Sequence, residues 1–156
     1  MRRCWMFIIV LSCLTWSTAR ERPGYVGLGL SYATYTGVMP NYPMPSFQVG
    51  GPLEGGLELR GTLESLIIVS NIGFDVLYLT QLTQMNGWLY SGLGGNVRFF
   101  ALYPNGFDLR GVFGGEFPLE TGTSPIHLFA EMRLYLRGLF AGFPTFEGRA
   151  GINFPF

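Results

Sequence analysis

The chain has 156 residues, enough for one domain, and only 13% of them are charged. All ten basic residues are arginine, glycine numbers 23 and aromatic residues reach 16%. No basic patch is present to hold a nucleic acid, and charge this sparse suits a sheet protein that shows little surface to water.

Met1 to Ala19 reads as a secretory signal. Arg2 and Arg3 form a positive start, Cys4 to Trp16 is almost wholly apolar, and Ser17-Thr18-Ala19 is a small-residue cleavage site. The apolar run falls short of the roughly 20 residues that cross a bilayer as a helix. A rival reading takes Val10-Leu11-Ser12-Cys13 as a lipoprotein signal, with a very short apolar region before it. Cleavage after Ala19 leaves a single domain, 20–156, with 8 basic and 10 acidic side chains and a net charge of −2. Cys4 and Cys13 both lie in the signal. The mature chain is therefore expected to have no disulfide, thiolate nucleophile or cysteine metal site.

Eight strands are predicted in the rest. Gly24 to Ala33 is the first, followed by a loop from Thr34 to Pro45 rich in proline and tyrosine. Ser46 to Gly51 is a short second strand, broken from the third, Leu57 to Glu64, by Pro52 and Gly55-Gly56. The alternative is one strand from Ser46 to Arg60, which would make seven. Leu66 to Leu79 is the fourth and least regular: Ile72, Phe74, Val76 and Tyr78 share one parity, yet Ile67, Val69, Leu77 and Leu79 are apolar on the other. Trp88 to Ala101 is the fifth strand, and Pro104-Asn105-Gly106 is a tight-turn signal before the sixth, Phe107 to Phe117. Ile126 to Arg137 is the seventh, with strict alternation, and Thr145 to Phe156 is the eighth. No segment beyond the signal keeps a 3.6-residue apolar period, so no substantial helix is expected.

Successive strand side chains point to opposite faces. In the later strands the charges fall on one parity: Glu58, Arg60, Asp75, Arg98, Asp108, Arg110, Glu116, Glu131, Arg133, Arg137, Glu147 and Arg149. The other parity is mainly Leu, Ile, Val, Phe, Ala, Met and Gly. A soluble sandwich or barrel would turn the apolar face inward and the charges to water. A membrane barrel reverses both. Strands of about 10–12 residues, the absence of lysine, and aromatic residues near strand ends (Tyr25, Tyr32, Trp88, Tyr90, Phe99, Phe100, Tyr103, Phe154 and Phe156) favour the membrane. The fold expected is all-β: a closed antiparallel up-and-down transmembrane β-barrel of eight strands.

The terminal strand TFEGRAGINFPF carries a further likeness. With Ala150, Ile152, Phe154 and a final Phe156 on one parity, the chain resembles the small outer-membrane β-barrel family of the OmpA or OmpX type. The resemblance covers the whole mature chain. It implies a bacterial outer-membrane location, membrane lipid and the outer-membrane assembly machinery as partners, and Ile152, Phe154 and Phe156 as an assembly signal. A monomer is expected, without nucleic-acid partner. Pro155 departs from the family pattern, and because proline cannot donate a ladder hydrogen bond, pairing is expected to fray there.

An eight-stranded barrel has room inside for its side chains only. Glu58, Arg60, Asp75, Arg98, Asp108, Arg110, Glu131, Arg133, Glu147 and Arg149 are therefore expected to form a paired lumen network with a structural role. The sharper alternative is a narrow pore lined by Arg98, Arg110, Arg133 and Arg149. His127, the single histidine, invites a lipid-modifying reading with Ser124 and Glu131, but no motif supports that set. No catalytic residue, cofactor site or metal cluster is predicted, and the chain is not expected to be an enzyme. Gly27, Gly29, Gly92, Gly94, Gly95, Gly111, Gly114 and Gly115 read as relief of crowding rather than as a phosphate cradle. The Thr34–Pro45 loop suits either surface recognition or a plain connection. The expected role is structural or surface-interacting, in an envelope protein that is porin-like in form. The alternative to it is a secreted or periplasmic soluble barrel that binds an apolar ligand.

Overall fold

The computed structural model describes residues 22–33, 43–66, 69–82, 86–119, 126–136 and 145–156. The signal segment, Ser124 and Arg137 lie outside these residues, as does most of the Thr34–Pro45 loop. Eight strands form one closed antiparallel barrel in sequence order: β1 (Tyr25–Ala33), β2 (Met44–Pro52), β3 (Leu57–Leu66), β4 (Val69–Leu82), β5 (Gly87–Phe100), β6 (Tyr103–Leu119), β7 (Ile126–Tyr135) and β8 (Thr145–Pro155). Each strand pairs with its sequence neighbour, and β1 closes the ring on β8 from Tyr25 opposite Pro155 to Ala33 opposite Glu147. The start of β1, the end of β8 and the strand ends joined by the β2–β3, β4–β5 and β6–β7 connections therefore lie at one end of the barrel. We call it the termini end.

The break between β2 and β3 is a single 3-10 turn, Glu54–Gly56, with Gly55 at φ 74° and Gly56 at φ 77°. Positive φ is open to glycine without a Cβ penalty, so the glycine pair makes two strands of a segment that also reads as one. The β5–β6 connection differs from expectation. The turn is Ala101-Leu102, with φ of 48° and 71°, joining Phe100 to Tyr103. Pro104-Asn105-Gly106 lies inside β6 instead. There the ladder steps from Gly106 opposite Arg98 to Pro104 opposite Phe99, and Gly106 has φ 145°. The proline–glycine signal thus marks a bulge, a place in a ladder where a missing donor is tolerated and a residue without a side chain is favoured.

Burial alternates along most of the wall, with the charged side chains inside and mainly apolar ones outside. The largest fully buried side chains include Arg60, Arg110 and Arg133, while Leu93 is 69% exposed and Phe74 63%. The irregular β4 now has a physical account. Leu77 and Leu79 point inward and pack with Tyr90 and Val112 as a small apolar plug against one stretch of the wall. Two of the aromatic residues placed near strand ends are also internal: Tyr25 and Tyr90 are buried and bond lumen carboxylates. Tyr32, Phe100, Tyr103, Phe154 and Phe156 are exposed.

Pairing does not fray at Pro155. The Phe156 N–H donates to the Gly24 carbonyl at 2.8 Å, one step beyond the proline. Alternate residues of an antiparallel strand bond to opposite flanks. The Pro155 nitrogen therefore faces the β7 flank, where the register already ends at Asn153 opposite His127. Proline is accommodated because the donor it lacks has no use on that side.

Three inward rings lie across glycines of the neighbouring strand. A Cβ at Gly50 would sit 2.5 Å from the Tyr25 ring, and one at Gly114 would sit 2.7 Å from the Tyr90 ring. Phe129 covers Gly151 of β8 in the same way, at 2.7 Å, and reaches Gly29 of β1, one strand further round, at 2.9 Å. At Gly92 a Cβ would meet the Val76 carbonyl oxygen at 2.0 Å, whereas at outward Gly111 it would meet nothing within 4 Å. Gly92→Val is therefore expected to destabilise the barrel by about 3 kcal/mol, and Gly111→Val by less than about 0.5 kcal/mol. Equilibrium denaturation of the two refolded variants measures the difference.

Candidate functional site in the barrel lumen

The inward parity of eight strands delivers its charges to one narrow column. The expected network residues Glu58, Arg60, Asp75, Asp108, Arg110, Glu131, Arg133, Glu147 and Arg149 are all buried there, and Arg98 is partly exposed. Glu131 is the centre. Its Oε2 accepts from Arg60 Nη1 at 2.6 Å and from the Tyr90 hydroxyl at 3.0 Å. Its Oε1 accepts from Arg133 Nε at 2.8 Å and Arg149 Nη1 at 3.1 Å. Asp75 is the second hub: Arg60 Nη2 reaches its Oδ2 at 3.0 Å, and Arg110 Nε reaches its Oδ1 at 2.8 Å. Arg133 extends the set by donating to Glu64 and, at 2.9 Å, to Glu147. The Tyr135 hydroxyl holds the other Glu147 oxygen at 2.5 Å.

These contacts join side chains from β3, β4, β5, β6, β7 and β8 across the lumen, not only along the wall. Arg149 carries the network onward to Gln48 of β2 at 3.0 Å, and Gln48 donates to Asn153 at 2.6 Å. At the end opposite the termini, Arg98 Nη2 pairs with Asp108 at 3.1 Å, and Asn71 donates to Glu64 at 3.3 Å.

The termini end holds a second group that sequence reasoning did not assemble. Arg22, which precedes every predicted strand, is buried and donates to Glu58 Oε2 at 2.5 Å and to Glu116 Oε2. The Tyr25 hydroxyl donates to Glu58 Oε1 at 2.6 Å. Glu116 also accepts from Asn153 Nδ2 at 2.5 Å, and its Oε1 lies 2.6 Å from His127 Nδ1. Burial works against the charge on Arg22, but the facing Tyr25, Glu58 and Glu116 outweigh it and raise its pKa above the ordinary arginine value. His127 therefore meets Glu116 rather than Glu131, and its ring stacks on Trp88 with centroids 5.4 Å apart.

Glu64 and Glu116 stand on the polar parity and join the lumen contacts beyond the residues expected there. The signal that finds them is charge balance. Among the described residues, the strands bring seven buried carboxylates inward against five guanidinium groups, those of Arg60, Arg98, Arg110, Arg133 and Arg149. An acid left unpaired in so narrow a space needs a partner from outside the strands, and Arg22 is that partner. The described residues include no group of three or more His, Cys, Asp or Glu placed to hold a metal ion.

The site so described is a column of ion pairs and hydrogen bonds across the lumen; the buried side chain of Asn96 stands outside it, with neither polar atom hydrogen-bonded. The class it defines is a closed eight-stranded barrel with a charged interior and an apolar exterior. No family model, no curated protein and no solved structure matches the chain.

Removing one partner of a buried pair leaves an uncompensated charge, at a cost of about 3–5 kcal/mol. Arg133→Met strips donors from Glu64, Glu131 and Glu147 together and is expected to reach that range. Glu54→Gln, on the exposed β2–β3 turn, should change stability by less than about 0.5 kcal/mol. Denaturant midpoints of the two variants provide the check.

Proposed function

We propose that this chain is an integral protein of the bacterial outer membrane, a barrel whose lumen is plugged by paired charges and whose role is structural or surface-interacting. The observation that carries the reading is the inversion of burial: arginines and carboxylates are enclosed, while Leu28, Leu30, Phe47, Phe74, Leu93 and Phe113 are exposed on the outer wall. Water would leave this surface unsatisfied on all sides, far beyond the few hundred Å² of apolar patch usual for a soluble monomer. Lipid satisfies it, and a closed barrel is one of the two structures that leave no backbone group unpaired in a bilayer. Strands of 9 to 17 residues supply the length a tilted crossing needs.

The rest of the reading follows from that placement. Residues 1–19 act as the export signal, and the barrel is a monomer in lipid. Ile152, Phe154 and Phe156 form the signal read by the outer-membrane assembly machinery; all three are exposed on the outer face. A soluble carrier of apolar ligands would need an apolar interior, and the interior here is a lattice of ion pairs. A pore is disfavoured for the same reason: Arg110, Arg133 and Arg149 each hold carboxylates or neighbouring polar groups across the lumen.

Two measurements test the proposal. Cell fractionation should recover the chain in the outer membrane, extractable only with detergent, with folded and boiled forms migrating differently on a gel. Recovery in a detergent-free soluble fraction would refute it. In planar bilayers the purified barrel should show no discrete conductance steps. Leu93→Arg separates the two environments further: near the middle of β5 it should cost about 2–4 kcal/mol in a bilayer. On a water-facing wall the same change would be neutral.

A further inference from the structure

The group at the termini end differs from the central network in one respect. In the centre, both members of each ion pair are fixed on strands. At the termini end the acids are fixed on strands, but the cation is not. Arg22 precedes β1 and belongs to no ladder; the backbone tie nearest to it is the Phe156 N–H to the Gly24 carbonyl.

The receptor around its guanidinium is built from other elements. Glu58 comes from β3 and Glu116 from β6, so the fork spans the lumen. Each acid has its own positioning donors: the Tyr25 hydroxyl for Glu58, and Asn153 for Glu116, with His127 against its second oxygen. Removing Arg22 therefore leaves both carboxylates aimed. The Tyr25 ring lies under the guanidinium at 4.0 Å from its centroid, and Trp88, backed by His127, stands at 6.0 Å. Two separated carboxylates and a ring face match a planar, forked cation. A compact ammonium cannot engage both acids and the ring together.

We propose that the termini end of the barrel is a guanidinium-binding site, filled in cis by Arg22, that accepts an arginine side chain or alkylguanidinium from another molecule when Arg22 is withdrawn. Arg22 is then both a latch and a competitor. The inference goes beyond the membrane reading and stands whether lipid or water meets the outer wall, since the site is wholly inside.

The test uses the purified full chain in whichever medium holds it folded, with methylguanidinium and methylammonium as probes at equal millimolar concentration. Arg22→Ala should lower the thermal midpoint by several degrees. Methylguanidinium should restore at least half of the loss and methylammonium should not, because a ligand that binds only the folded state raises its stability. The wild-type midpoint should not move with either. Titration calorimetry should give at least tenfold tighter methylguanidinium binding to Arg22→Ala than to wild type. Adding Glu116→Gln to the Arg22→Ala chain should abolish the restoration. Equal response of wild type and variant, equal rescue by methylammonium, or rescue that survives Glu116→Gln would overturn the proposal. If Arg22→Ala does not fold alone, refolding yield becomes the readout: recovery with methylguanidinium only supports the site, and no recovery overturns it.

Discussion

Closing eight strands into a ring removes their inward side chains from water, and this protein places most of its charge there. Each ion so enclosed loses several kcal/mol of hydration, which only close, well-directed partners offset. The pairs are therefore interdependent. Glu131 accepts hydrogen bonds from three arginines, and Arg133 donates to three carboxylates, so no one pair can be dissected from its neighbours. The same constraint fixes register. A slip of one residue in any strand would turn its charges out and its leucines in. The barrel is held in register by the requirement that every acid meet its cation, as much as by its backbone ladder.

Space is the other side of that constraint. Long arginine and glutamate side chains fit only where the wall recedes, and glycine supplies the recess. At Gly94 a Cβ would sit 2.0 Å from Asp75 Oδ1, and at Gly73 2.5 Å from an Arg110 nitrogen. The rings over Gly50 and Gly114 belong to the tyrosines whose hydroxyls then reach Glu58 and Glu131. Glycine content and charge content are thus one design: the first makes the cavity that the second fills.

Much of this was legible in the sequence because parity survives without any knowledge of neighbours. The seventh strand announces itself: His127, Phe129, Glu131, Arg133 and Tyr135 alternate with apolar residues, and they are the ones inside. What failed were features decided across strands. Leu77 and Leu79 look misplaced until Tyr90 and Val112 are seen beside them. Pro104-Asn105-Gly106 has the chemistry of a turn, yet the ladder uses it as a bulge and turns at Ala101-Leu102, which carries no turn signal. Arg22 lies outside every strand, so no periodicity points to it. Only the surplus of acids at its end of the lumen does.

The seam between β1 and β8 has a temporal meaning. It joins the first strand to the last, with Tyr25 opposite Pro155 and the amide of Phe156 tied to Gly24. Contacts so distant along the chain demand loop closure over nearly the whole sequence before they return any stability. β8 is the last of the eight strands to be made, so no ring can shut before it emerges. Until it does, every acid and arginine destined for the interior remains hydrated, and the open sheet keeps two raw edges. Closure is then a single late event that dehydrates the charges and removes both edges at once. A chain without β8 would keep its earlier strands and lose the event.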